Sequence, residues 1–376
     1  MSDCPSNNRD IAGMNIVVLV PAHNEEESVE ATVSSLLSQS RLPDLVVVIC
    51  DNCTDDTEDV ASIFTYHPNF RLLRTVDNTH RKSGALNLAY SKFCDDADLI
   101  ITVDADTILS PTAIENWERE FEADPDLGGS VARFTIRGTD ILSRLQRNEY
   151  ARGIDMGLRR GWTSVLGGAA SALRKSVMDR VAALQDGRSG PWTYASLVED
   201  FELTYKIHSF GCRCCISPTV RAYTDSMKTI RSLWGQRMKW QVGTVSELFK
   251  VGINKVSLLQ WYSQIQGMLV VVIRILWLYL MATAIAAGHL TFNLWWIWIL
   301  IPVIITANEF KHALRIPHRD RWDLVIVLTV LPVELFSWLR MGWFVAGWWK
   351  AVMANITGRQ KDWWAMQYQA ERGGDR

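Results

Sequence analysis

Three short runs of apolar and β-branched residues, IVVLV (16–20), VVVIC (46–50) and LIITV (99–103), each stop at polar or acidic residues, and helix-patterned sequence follows each. Runs this apolar, without alternation, read as strands of a parallel sheet buried on both faces. Val29, Val33, Leu36 and Leu37 mark the apolar face of a first helix; Val60, Ile63 and Phe64 mark a second, and GALNLAYSKF a third. FRLLRTV (70–76) reads as a weaker strand, and helix 111–122 and strand GSVARFTI (129–136) continue the pattern. Alternation of this kind predicts a doubly wound α/β sheet. Ligands of such sheets sit beyond the carboxyl ends of the strands. That edge collects Asn24 and Glu25, then Asp51, then Asp104 and Asp106.

The residue types at that edge suggest a chemistry. Residues i and i+2 of an extended segment point the same way, so Asp104 and Asp106 are expected to share one target. Two carboxylates without nearby His suit Mg2+ or Mn2+ better than zinc, and such an ion would bridge phosphate oxygens. HRKSGALN (80–87) offers Lys82 and Gly84 at a helix start, an expected cradle for a diphosphate. LVEDFELTYKI puts Glu199 and Asp200 at another helix start, where a carboxylate is able to take a hydroxyl proton. WGQRMKW (234–240) combines Gln236, Arg237, Lys239 and Trp240, polar groups beside an indole face able to stack on a sugar ring. Taken singly, each has an ordinary structural explanation: a turn, a helix cap, an acid-rich helix start, an interfacial basic-aromatic patch. Segment 141–160 is an amphipathic basic helix, read as a solvated face.

The net charge of −2 gives no argument for a nucleic-acid partner. The near-zero mean hydropathy averages two unlike halves, because residues 262–353 carry long apolar runs and 12 of the 17 Trp follow residue 255. Trp beside such runs is expected of interfacial anchors. Three of the seven Cys crowd into GCRCCI without the paired spacing of a zinc site, and are expected to be reduced residues of a cytosolic strand, with S-acylation as the alternative. The N-terminus is polar, and no signal peptide or N-terminal anchor is expected.

In order along the chain, VPAHNEE, DNCTDDT, KSGALN, VDADT, VED and QRMKW resemble the family 2 inverting glycosyltransferases. They resemble most the membrane-embedded synthases of cellulose, hyaluronan, chitin oligomers and poly-N-acetylglucosamine. The resemblance spans roughly residues 14 to 245 and implies a GT-A (Rossmann-like) α/β domain followed by C-terminal transmembrane and interfacial helices. By resemblance, Ala22, Glu25 and Asp51 would contact the nucleoside, and Lys82 the diphosphate. Asp104 and Asp106 would form the DxD that holds Mg2+ or Mn2+, Asp106 more directly than Asp104. Asp200 would be the catalytic base. Gln236, Arg237 and Trp240 would cover the donor diphosphate and the acceptor sugar, and Gly167, Gly168 and Ala169 match a loop near the acceptor. The chain departs from the pattern at Lys239, where the family has Arg, at Val198 before Glu199–Asp200, and at Asn52 and Cys53 after Asp51.

The expected organisation is a polar tail (1–13), the glycosyltransferase domain (14–250), interfacial and membrane helices (251–353) and a C-terminal tail (354–376). Candidate spans are 265–287, 291–308 and 323–346, with 255–264 as an interfacial lead-in. The basic stretch KHALRIPHRDR fits a cytosolic side, like the catalytic domain. A third full span would export a basic tail, so 322–353 either enters and returns or consists of interfacial helices. The expected activity is transfer from a UDP-sugar, UDP-N-acetylglucosamine or UDP-glucose, to a growing polysaccharide in a multi-pass membrane protein. Expected partners are the UDP-sugar, a glycan or lipid-linked acceptor and membrane lipids. The alternatives are single transfer to a lipid carrier or protein, and a catalytically silent membrane scaffold.

Overall fold

The computed structural model describes residues 13–288 and 295–358. Most of both tails, and residues 291–294 of the second candidate span, lie outside the described residues. In chain order the elements are β1 (Ile16–Ala22), α1 (Val29–Leu37), β2 (Leu45–Cys50), α2 (Thr57–Ser62), β3 (Phe70–Arg74), α3 (Arg81–Phe93), β4 (Leu99–Val103), β5 (Ile108–Leu109), α4 (Ala113–Ala123), β6 (Leu127–Ile136), α5 (Ile141–Arg160), β7 (Ala170–Arg174), α6 (Lys175–Ala182), α7 (Glu199–Ser209), β8 (Arg213–Thr224), α8 (Ile230–Val251), α9 (Leu258–Ala286), α10 (Trp295–Ala313), α11 (Arg321–Leu328) and α12 (Leu331–Thr357). They fall into two units, Met1–Arg137 with Gly153–Asp225, and Gly138–Arg152 with Ser226–Arg376.

The first unit holds an eight-stranded sheet of order β3-β2-β1-β4-β7-β6-β8-β5. Strands β3, β2, β1 and β4 run parallel, whereas β7 lies antiparallel between β4 and β6. The sheet is therefore mixed, with the expected parallel half. Ile16, Val18 and Val20 enter one core, built round Trp117 and Phe121, while Val17 and Leu19 enter the other with Leu86 and Ile100. Burial on both faces explains why these strands read as unbroken apolar runs. The register pairs Ala22 with Cys50, and Cys50 with Arg74, so the parallel strands end at one level.

Cys214 and Cys215 are free and buried in β8. Cys212, just before it, is disulfide-bonded, which corrects the expectation of three reduced thiols.

The second unit is helical. Among the described residues one helix, α9, is long and apolar enough to cross a membrane. The segment read as an interfacial lead-in is continuous with it from Leu258. Helices α11 and α12 meet the same criterion only as a pair bent by 74°. The break falls at Val330, whose φ of 59° is costly for a β-branched residue, and Pro332 follows in the first turn of α12.

The basic face of α5 is solvated only at its C-terminal end, at Arg159 and Arg160. Arg144 is 6% exposed and meets Asp320 and the buried Asp323, Arg147 also binds Asp323, and Arg152 binds Glu309 at 2.7 Å. The acidic partners lie more than 150 residues along the chain, beyond the reach of local pattern reading.

Candidate active site

At the ends of β1 and β2 the backbone itself sets the first contact, because the Asp51 amide donates to the Ala22 carbonyl at 2.8 Å. Ala22 is 1% exposed, so its side chain belongs to the core and only its main chain reaches the edge. The Asp51 carboxylate accepts from Thr75 Oγ1 at 2.7 Å and from Asn78 Nδ2 at 2.8 Å, which fixes its orientation. Glu25 is half-buried; its amide donates to Thr57 Oγ1 at 2.7 Å and its carboxylate accepts from Ser28 at 2.7 Å.

Asn78 also explains Gly84. A Cβ at Gly84 would lie 2.1 Å from Asn78 Oδ1, and the Gly84 amide already donates to the His80 carbonyl at 3.2 Å. The glycine thus makes room for the side chain that holds Asp51. Of the expected backbone cradle, the Gly84 amide is therefore already engaged within the chain. Sequence reasoning missed Thr75 and Asn78, whose only signal was polarity directly after a strand.

Lys82, in the first turn of α3, is where distant segments converge. Its ammonium pairs with Asp104 and donates to the Gly168 carbonyl at 3.3 Å. A Cβ at Gly168 would lie 2.8 Å from Lys82 Nζ, so the glycine keeps this path open. Burial works against the charge on Lys82, yet Asp104, Glu199 and Asp200 together hold its pKa above the ordinary lysine value.

Asp104 and Asp106 do not lie on an extended segment. The Thr107 amide donates to the Asp104 carbonyl at 3.0 Å, closing a turn just after β4. That turn replaces the extended alternation expected from the sequence, and Asp106 still feels the charge of Asp104. Asp106 accepts from Thr107 Oγ1 at 3.0 Å and from Thr224 Oγ1 at 3.3 Å, while Arg137 donates to its carbonyl at 3.1 Å. Burial, then the charge of Asp104, raises its pKa to about 6. Among the described residues no three His, Cys, Asp or Glu side chains gather as a metal-ligand set. Two aspartates fit a hard cation in the mode where phosphate oxygens complete the coordination sphere, as Mg2+ often requires.

Asp200 stands in the first turn of α7. Its carboxylate accepts from the Phe201 amide at 2.7 Å, and its carbonyl accepts from Thr204 Oγ1 at 2.6 Å. Thr204 Oγ1 in turn accepts from the Leu166 amide at 2.8 Å, tying α7 to the segment that carries Gly167 and Gly168. The Asp104 amide donates to the carbonyl of Ala169, next along the same segment, at 2.9 Å. The α6–α7 connection is held as well. Asn87 Nδ2 donates to the Trp192 carbonyl at 2.7 Å and Asn87 Oδ1 accepts from its amide at 3.1 Å, while the Tyr194 ring stacks on His80 at 3.9 Å. A buried asparagine within an apolar helix pattern was the one signal for this clamp.

Gln236, Arg237 and Trp240 lie on α8, in the second unit. Arg237 is 5% exposed; it donates to Gln236 Oε1 at 3.1 Å and to Glu149 Oε2 at 2.8 Å. Its guanidinium lies 4.3 Å from the centre of the Trp240 ring and 5.6 Å from that of Tyr150. Glu149 was not foreseen, because helix 141–160 was read for its basic residues.

Comparison with known proteins adds to this geometry. Residues 17–182 match the family model "Glycosyl transferase family 2". The chain is 26% identical over 243 residues to a poly-beta-1,6-N-acetyl-D-glucosamine synthase of Staphylococcus epidermidis, covering 63% of this chain and 56% of that protein. It is 27% identical over 233 residues to the protein of the same name from Staphylococcus aureus, covering 61% and 54%. The chain thus aligns with little more than half the length of these curated relatives. A mannosyltransferase from Pyrobaculum calidifontis, solved in complex with GDP-Man and Mn2+, superposes with a TM-score of 0.55 at 18% identity, over 92% of this chain and 90% of that one. At that identity the likeness speaks to fold alone.

Proposed function

We propose that the chain, whose residues 17–182 match the family 2 glycosyltransferase model and whose fold is like that of a solved mannosyltransferase, is a membrane-bound inverting β-glycosyltransferase of GT-A fold. It transfers a sugar from a UDP-sugar, UDP-N-acetylglucosamine before UDP-glucose, to a growing polysaccharide. The observation that carries this reading is the meeting at Lys82: Asp104, Gly168, Glu199 and Asp200 all act on one ammonium. Four motifs far apart in sequence are thereby brought to one place. The names of the staphylococcal relatives support the N-acetylglucosamine donor and the polymeric product. The apolar α9 supports attachment to a membrane.

In this reading Asp51, held by Thr75 and Asn78, accepts hydrogen bonds from the base, and the Ala22–Glu25 segment lines the nucleoside. Lys82 moves from Asp104 to the incoming diphosphate. Asp104 and Asp106 would hold Mg2+ or Mn2+, and the ion would supply positive charge to neutralise the leaving diphosphate. Asp200 removes the proton from the acceptor hydroxyl as that oxygen attacks the anomeric carbon. Gly167 and Gly168 border the acceptor. Gln236, Arg237 and Trp240 cover the donor diphosphate and the acceptor sugar, with Glu149 holding Arg237 beside the Trp240 ring.

The test is incubation of the purified full-length chain with radiolabelled UDP-sugars and Mn2+. Expected are UDP release and a ladder of long products from UDP-N-acetylglucosamine. A product that stops at one sugar defeats the polymerase reading, and no UDP release from any donor defeats the enzyme reading.

A further inference from the structure

The stretch CDNC (50–53) puts two thiols on either side of Asp51, and nothing in the reading above uses them. Cys50 ends β2 and is 2% exposed, whereas Cys53 is half-buried in the connection to α2. Between them Asn52 takes a left-handed φ of 50° and is anchored by its side chain to the Asn78 carbonyl at 2.7 Å. The chain therefore doubles back, so that Cys50 lies in the apolar core on one face of the sheet and Cys53 packs against that same core. Cys53 Sγ also donates to the Ala22 carbonyl at 3.4 Å, the same oxygen that receives the Asp51 amide.

We propose that Cys50 and Cys53 form a reversible thiol–disulfide site at the nucleotide edge, oxidised by low-molecular-weight disulfides such as oxidised glutathione. Cys53 is the attacking thiol, because it is the more exposed and the neighbouring Cys50 thiol holds its pKa below the ordinary cysteine value. It displaces one glutathione thiolate and forms a mixed disulfide. Cys50 then attacks the Cys53 sulfur, a second glutathione leaves, and the proton of Cys50 passes to solvent. Two thiols are oxidised and one small disulfide is reduced to two thiols. Drawing the sulfurs to about 2.05 Å takes Cys53 off the Ala22 carbonyl. The peptide of Asp51 is then locked inside a ring of four residues. That this weakens nucleotide binding rests on the reading of Asp51 as a base contact; the dithiol chemistry does not.

The folded full-length protein is treated with oxidised glutathione, alkylated and digested with trypsin. Both cysteines, and no others, lie in the peptide Leu42–Arg71. The expected peptide escapes alkylation and is two hydrogens lighter than its reduced form, and dithiothreitol reverses the change. UDP affinity should fall several-fold with it. Cys53→Ser should bind UDP normally and ignore the oxidant, while Cys94→Ser still forms the disulfide. A Leu42–Arg71 peptide that stays fully alkylatable, or carries glutathione alone, overturns the proposal. If the disulfide forms and UDP binds as before, control of the nucleotide edge is refuted.

Discussion

The carboxylates of the two units are treated in opposite ways. Among the described residues of the helical unit, buried and half-buried acids are matched by cations. Glu149 faces Arg237 at 2.8 Å and Arg340 at 3.5 Å, Glu309 receives Arg152 and Asn148, and Asp323 receives Arg144 and Arg147. Burial opposes ionisation of Glu149, but Arg237, Arg340 and Arg152 hold its carboxyl below the usual glutamate value. At the rim of the sheet, Asp104, Glu199 and Asp200 share the single ammonium of Lys82, and the pKa of Asp106, next to Asp104, rises instead. Matched acids of the first kind hold helices together. An acid excess of the second kind, at the carboxyl edge of a parallel sheet, is suited to a bound cation and its phosphates.

The contrast is open to being broken. Asp200→Asn should cut kcat by roughly 10²–10⁴-fold, the usual span for a general base, with the fold intact; an unchanged rate of UDP release would place the base elsewhere. Glu149→Ala should cost about 3–5 kcal/mol of stability, because it leaves Arg237 buried beside aromatic rings without its carboxylate. Thermal unfolding in detergent measures this, and a neutral result would mean the helical acids are not structural. Asp106→Asn should do the reverse, lowering transfer about 100-fold through loss of metal-assisted charge stabilisation while holding or raising the melting temperature, since a strained buried charge is gone. A drop in both would put Asp106 in the architectural class. Asn87→Ala should cost about 1–3 kcal/mol through the two unpaired backbone groups of Trp192, and limited proteolysis should then cut the α6–α7 connection sooner.

Much of this was legible in the sequence, for reasons that differ by element. Strands β1, β2 and β4 announced themselves because burial on both faces leaves no polar residue to interrupt them. Helix α5 was read to its ends, yet its basic face was misjudged, since Asp320 and Asp323 come from far along the chain. The two DxD aspartates were found from their types, but the turn closed by Thr107 depends on backbone bonding that spacing does not encode. Asn78, Thr75 and Asn87 escaped notice because each acts on a neighbour in space: Asp51 for the first two, the Trp192 backbone for the third. The break at Val330 was foreshadowed only by the charge conflict of a third span, and by Pro332 just after it.

The account turns on whether the acid rim takes up a divalent ion together with UDP. Calorimetric titration of UDP into the purified chain, with Mn2+ and again with the ion chelated, addresses this directly. Saturable binding that vanishes on chelation, and in the Asp106→Asn variant, is the predicted result. Equal affinity with and without Mn2+, or in that variant, would contradict it.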